Sequence, residues 1–208
     1  EVLDVRIQST ILNASTRPAL YLRGIDYGSF TWVVMEASQL ADLGRAGVTY
    51  QSVKNPYILT LGGSSFDPLI AFPEPAINFE RSTSDLDTGL FLVQFYGPIK
   101  SEWLDALEKA GLTVLQYIHP FTYVVWGKAS SIDGQTRQEL VRWVGAYQPE
   151  FALISGDLKN SGAEILVRLM IVRQADFNHT LDAIQSLGGV LMDTNTALDP
   201  NFNLATFS

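Results

Sequence analysis

The sequence predicts an α+β protein: a small β-β-α-β-β unit, then tandem ferredoxin-like (βαββαβ) units, the last one incomplete. Three observations predict it. The apolar residues alternate at period two in some segments and recur at helical spacing in others. Clusters of Gly, Pro, Ser and Asn separate those segments. One strand–helix–strand pattern also occurs twice, at a period of about 75 residues.

The elements follow in chain order. "EVLDVRIQSTIL" opens the chain with Val5 and Ile7 alternating with Arg6 and Gln8, and with Ile11 on the same side. That reads as one extended strand, set apart over residues 1–18 because "NASTRP" breaks it with turn residues. Residues 19–61 form the first compact unit. "ALYLRGI" and "GSFTWVVME" are strands joined at Asp26-Tyr27-Gly28. "EASQLADLGRAG" is a helix capped by Ser38 and stopped by Gly47. "VTYQSV" and "PYILTL" are two more strands.

Residues 62–88 read as a linker rich in Pro, Gly and Ser, although Phe66, Leu69, Ile70 and Phe72 place it along a surface. Residues 89–153 carry the clearest pattern. "GLFLVQFYG" is a strand, Pro98 starts a helix, and Ile99, Trp103, Leu104, Leu107 and Ala110 form its apolar face up to a stop at Gly111. "LTVLQYI" and "TYVVWG" are strands around His119-Pro120-Phe121, "DGQTRQELVRW" is a short helix, and "RWVGAY" is the closing strand. This is the split βαβ order.

After a short linker at 154–163, residues 164–208 begin the plan again: "EILVRLMIV", "ADFNHTLDAIQSLGG", "VLMDTN" and "FNLATFS". "LDALEKAGLTVL" lies over "LDAIQSLGGVLM", with the glycine stop repeated. The pattern stops at Ser208, before a second helix and a fourth strand.

Composition narrows the function. The 208 residues are 47% hydrophobic and 17% charged, so the chain folds rather than staying disordered. A net charge of −8 argues against a nucleic-acid binder, which needs a basic face for phosphate. There is no cysteine, which removes disulfides, thiolate metal sites and cysteine nucleophiles. It also fits a secreted bacterial protein. No apolar run reaches the ~18 residues of a membrane span. The start at Glu1, without Met or signal peptide, reads as a processed protein.

A catalytic set is not found, and the chain is read as no enzyme. Asp87-Thr88-Gly89 has the letters of a protease aspartate motif, yet the two histidines, His119 and His179, read as turn and helix-start residues. Asp87 is therefore read as a turn residue at a unit boundary. No cofactor is expected. Calcium is the better metal candidate, because "DLDTG" and "DTNTALDPN" cluster oxygen ligands, whereas His179 and Asp182 on one helix face are two ligands only and make no zinc site. The twelfth position from Asp85 is Tyr96 rather than Glu, however, so no EF-hand is formed. Asn13-Ala14-Ser15 and Asn178-His179-Thr180 are glycosylation sequons for a glycosylating host.

The strands of the ferredoxin-like unit are apolar on both faces. Leu92, Trp126, Trp143 and Tyr147 belong to the surplus, which predicts that the second face is covered by another part of the chain or by a partner. The segments "DYGSFTWVVMEASQLADLGRAGVTY", "GLFLVQFYGPIKSEWLDALEKAGLTVLQYIHPFTYVVWG" and "RWVGAYQPEFAL" carry a family likeness. From Asp26 onward the chain resembles the N-terminal non-catalytic pro-region of large secreted bacterial subtilisin-like proteases. The resemblance implies a ferredoxin-like module that docks an open sheet face on a protease domain, assists its folding and inhibits it. The 208 residues hold no protease domain, so inhibition by a tail is not assigned to any of them.

Two functions are thus expected from the sequence. One is a secreted pro-region-like module acting by protein–protein contact on a subtilisin-like catalytic domain. The alternative is an extracellular subunit that polymerises with further copies of itself. In that alternative Val2, Val5, Ile7 and Ile11 would be donated to the open edge at Ile165, Val167 and Leu169 of the next subunit. Neither involves nucleic acid or membrane insertion.

Overall fold

The computed structural model describes residues 2–8, 23–73, 88–135, 138–152 and 165–208. They form an α+β fold of small antiparallel sheets with few helices.

The first sheet has four strands in the order β2-β3-β1-β4: β1 (Val2–Gln8), β2 (Arg23–Asp26), β3 (Phe30–Glu36) and β4 (Tyr50–Val53). The β2–β3 hairpin forms where the sequence predicts it. Gly28 supplies φ +79°, and its N–H donates to Asp26 Oδ1 at 2.8 Å. The placement of β1 differs from the expectation of a separate strand. It lies in the centre of the sheet, antiparallel to both β3 and β4. The reason is its alternation. Val5 pairs with Val33 and Ile7 with Thr31, and Val5 and Ile7 are fully buried with Val33, Met35 and Leu43.

A 3-10 turn at Ala37–Gln39 leads into α1 (Leu40–Arg45), which covers that face with Leu40 and Leu43. The helix is opened by Gln39, whose Oε1 accepts from the Glu36 N–H at 3.1 Å, rather than by Ser38, whose hydroxyl turns to Glu36. Gly47, at φ +68°, ends it as expected.

The predicted linker begins later than residue 62. β5 (Leu59–Leu61) and β6 (Ser64–Phe66) form a two-residue hairpin through Gly62 and Gly63, at φ +56° and +77°. Two consecutive positive φ angles are what the tight primed turn requires. Leu59 and Phe66 are buried, which is why the segment is ordered.

The central unit is β7 (Thr88–Phe95), α2 (Ser101–Lys109), β8 (Thr113–Ile118), β9 (Thr122–Lys128), α3 (Ala129–Gln135) and β10 (Val141–Ala146). Its sheet order, β10-β7-β9-β8, is the split βαβ arrangement. Val93, Phe95, Val125 and Val141 pack under α2 and α3 against Trp103, Leu107 and Ile132. Two boundaries differ from the sequence reading. Helix α2 starts at Ser101, after Pro98, and α3 starts at Ala129 because Ile132 is its buried anchor. Gly111, at φ +83°, stops α2.

The third unit has β11 (Val167–Val172), α4 (Phe177–Ser186), β12 (Leu191–Asn195) and β13 (Phe202–Phe207), in the order β11-β13-β12. Asp176 caps α4 by accepting the His179 N–H at 2.9 Å. Ile171, Ala205 and Phe207 form a small core under Leu181 and Ile184 of that helix. The strand order is that of the central unit with the β10 position left out.

Candidate interaction surfaces

The second face of the central sheet is filled by the chain itself. Leu92, Val124 and Leu115 are buried against Leu59 and Phe66 of the hairpin, Phe151, and Val172 of the third unit. Trp126, Trp143, Tyr147, Phe72 and Phe202 pack around them. Phe72 lies against the Trp143 ring at 4.9 Å and Phe66 stacks on Phe151 at 5.8 Å. Of the four interaction candidates on this face, Leu92 is buried in this cluster, and Trp126, Trp143 and Tyr147 are partly buried against it. Burial also raises the Tyr147 hydroxyl pKa, and that hydroxyl donates to the Phe151 carbonyl at 2.9 Å.

The N-terminal candidates have a similar outcome. Val5 and Ile7 lie in the first core, and Val2 is paired with Glu36 in the β1–β3 ladder. Ile11 lies outside the described residues, as do Asp87 and Asn13. Donating β1 to another subunit would empty the slot between β3 and β4 and expose Val5 and Ile7. The strand is not spare, as the sequence reading had it.

The third group of candidates is different. Strand β11 pairs with β13 on one side, and among the described residues nothing pairs with its other side. In the central unit the corresponding strand β7 is flanked by both β9 and β10. Along the β11 edge Ile165 is 36% exposed, Leu166 69%, Val167 38% and Met170 47%. Leu169 turns inward to the α4 cluster.

The structure also assembles a polar site that the sequence reading missed. Asp4 is 7% exposed, on the face of β1 opposite Val5 and Ile7. Its Oδ1 accepts from Trp32 Nε1 at 3.1 Å and from the Tyr57 hydroxyl at 2.5 Å. That hydroxyl also lies 3.0 Å from the Tyr96 carbonyl. Beside it Arg142 forms a bidentate pair with Asp67 at 2.8 and 2.9 Å, donates to Gln94 Oε1 at 2.8 Å, and lies 3.9 Å over the Tyr57 ring. Burial raises the Asp4 pKa, opposed by the hydrogen bonds from Tyr57 and Trp32 and by the Arg142 charge. Burial, and then the Asp4 charge, push the Tyr57 pKa far above its ordinary value.

These residues lie along a cleft of about 660 Å³ between the first sheet and the central unit. In sequence Asp4 is only the next polar position before Arg6 and Gln8, which alternate with Val5 and Ile7. The signal that could have found the site is the set of aromatics at Trp32, Tyr57 and Tyr96, which needs the tertiary packing to become one place.

The remaining motifs have local roles. In the loop expected for calcium, Asn195 Oδ1 accepts the N–H groups of Ala197 and Leu198, and Asp199 Oδ1 those of Asn201 and Phe202. Arg173 donates to the carbonyls of Thr196 and Asp199, so a cationic side chain already serves those oxygens. Among the described residues no group of three His, Cys, Asp or Glu is placed to hold a metal, and no helix is long and apolar enough to cross a membrane. Asn178 of the second sequon is exposed in the first turn of α4.

Residues 60–148 match a family model described as a domain of unknown function, DUF8729. The span runs from within β5 to just past β10, so it joins the hairpin to the sheet whose second face the hairpin covers. No curated protein and no solved structure matches the chain.

Proposed function

We propose that this is a secreted, non-catalytic module of the subtilisin-like protease pro-region type, acting by protein–protein contact through the outer edge of β11. The observation that carries the reading is the asymmetry of the two repeats. β7 has neighbours on both sides, whereas among the described residues β11 has one, and Ile165, Leu166 and Val167 at its start are exposed. An unpaired row of N–H and C=O groups beside apolar side chains is a template for an extended strand of a partner. The resemblance from Asp26 onward supplies the class of partner, a subtilisin-like catalytic domain. Contact through the central sheet face does not carry over from that family, since the hairpin fills it.

The test is inhibition of a subtilisin-like catalytic domain from the same source. The chain should slow its peptide hydrolysis, and the double variant Leu166→Lys, Val167→Lys should weaken inhibition at least about tenfold while keeping its circular dichroism. No inhibition and no binding at about 10 μM would sink the reading. Assembly of the chain with itself in the same experiment, lost in the double variant, would instead assign the edge to copies of itself.

A further inference from the structure

The cleft between the first sheet and the central unit has an uneven charge balance at its floor. Arg142 is committed to Asp67 and Gln94, since its fork holds both oxygens of Asp67 and the Gln94 carbonyl. The Asp4 carboxylate has no such partner. Its Oδ1 takes two donors, yet Oδ2 accepts no hydrogen bond among the described residues, although the residue is only 7% exposed. Arg6 lies 4.3 Å over the Phe30 ring, Arg23 lies 4.1 Å over the Tyr96 ring, and Lys54, an exposed residue of the cleft lining, forms no ion pair among the described residues. A buried carboxylate with no ion pair of its own is costly, and a cation supplied from outside removes part of that cost.

We propose that this cleft binds an alkylammonium group, its charge on Asp4 Oδ2 and its aliphatic stem along Val53, Pro56, Leu69 and Ile70. The chemistry follows from the donor set. One free carboxylate oxygen suits a compact ammonium, whereas a guanidinium needs two in a plane. A hard metal ion needs six or more oxygen ligands, and the other carboxylate in the cleft, Asp67, is spent on Arg142. The stem has apolar walls on the two sides named, and Ile70 is 83% and Leu69 56% exposed at the mouth. A volume of about 660 Å³ lies within the ordinary range for small-ligand clefts. Burial raises the Asp4 pKa, and only its ionised form holds the cation, so affinity falls as pH drops through that pKa. This site is separate from the β11 edge and stands whether or not that edge binds a protease.

The test uses the whole chain, labelled with nitrogen-15, at neutral pH and low salt. The Trp32 indole N–H donates to Asp4, so its resonance, assigned with Trp32→Phe, reports the site. Titration with n-butylammonium should shift it with a midpoint of about 1–10 mM, as expected for so small a ligand. The neutral isostere n-butanol should leave it in place. Asp4→Asn should abolish the shift. Ile70→Lys, at an exposed position that tolerates change, should weaken binding about twofold or more through charge repulsion. A lysine amide acetylated at its α-nitrogen that binds more tightly than butylammonium marks a polypeptide source, and equal binding marks a free amine. An equal response to butanol, a shift that persists in Asp4→Asn, or no shift at tens of millimolar overturns the proposal.

Discussion

At the residue scale the cost of each unusual position can be read from its surroundings. Asp4 is an acid whose folded-state pKa lies above its unfolded value, chiefly through burial. The native state therefore holds its proton more tightly than the unfolded chain does. Asp4's contribution to stability is greatest below the unfolded carboxylate pKa and is lost as pH rises through the folded one. In Asp4→Asn that slope should vanish. Urea unfolding across mildly acidic to neutral pH should show the variant gaining on the parent as pH rises; a constant difference would contradict the assignment. Gly62 and Gly63 provide a matched pair. Both have positive φ, but a Cβ on Gly62 would sit 2.6 Å from the Glu150 carbonyl oxygen, whereas one on Gly63 meets nothing within 4 Å. Gly63→Ala should cost about 1–2 kcal/mol, the left-handed penalty alone. Gly62→Ala adds a backbone clash and should cost about 3 kcal/mol or more, read from denaturant midpoints.

At the scale of elements, what was legible in the sequence depended on whether the signal was local. The β2–β3 turn, the stops at Gly47 and Gly111 and the strands of the central unit are set by residues within a few positions, and they stand where the sequence puts them. The role of β1 is not local. Its alternating Val5 and Ile7 identify a strand, but not that β3 and β4 flank it from 22 or more residues away along the chain. The surplus apolar residues of the central sheet were legible as needing a cover. That the cover is the β5–β6 hairpin was not, because its Gly-Gly-Ser-Ser stretch reads as a linker until Leu59 and Phe66 are seen to be buried. The site at Asp4 was hidden for the same reason. If β1 is a central strand rather than an appendage, Ile7→Ala should cost roughly 3 kcal/mol, typical of a fully buried large-to-small change. A loss below about 0.5 kcal/mol in thermal or urea unfolding would place β1 outside the folded core.

For the whole molecule, the unequal cores predict unequal stability. The central unit is buried on both sheet faces, under its helices and under the hairpin, and Ile25 and Trp32 of the first sheet join its helix-side core. Among the described residues the third unit has three buried apolar side chains, Ile171, Ala205 and Phe207, in its own core. It is tied to the centre through Val172, Phe202 and the Asn201 amide, which donates to the Leu115 carbonyl at 2.9 Å. It also carries a liability, since Asn203 Oδ1 is buried with no hydrogen-bond partner among the described residues, a cost of about 1–3 kcal/mol. The third unit should accordingly open before the rest of the fold. Native-state hydrogen exchange should give β11–β13 opening free energies at least about 2 kcal/mol below those of β7 and β9. Asn203→Leu, which removes the unsatisfied oxygen and keeps the same branching at Cγ, should narrow that gap. A strand-forming partner at the β11 edge should narrow it as well, because a ligand that binds only the closed state stabilises it by mass action. Uniform protection across β7–β13 in the isolated chain would mean that the third unit and the centre unfold as one, and that the β11 edge is not the weak side of the fold.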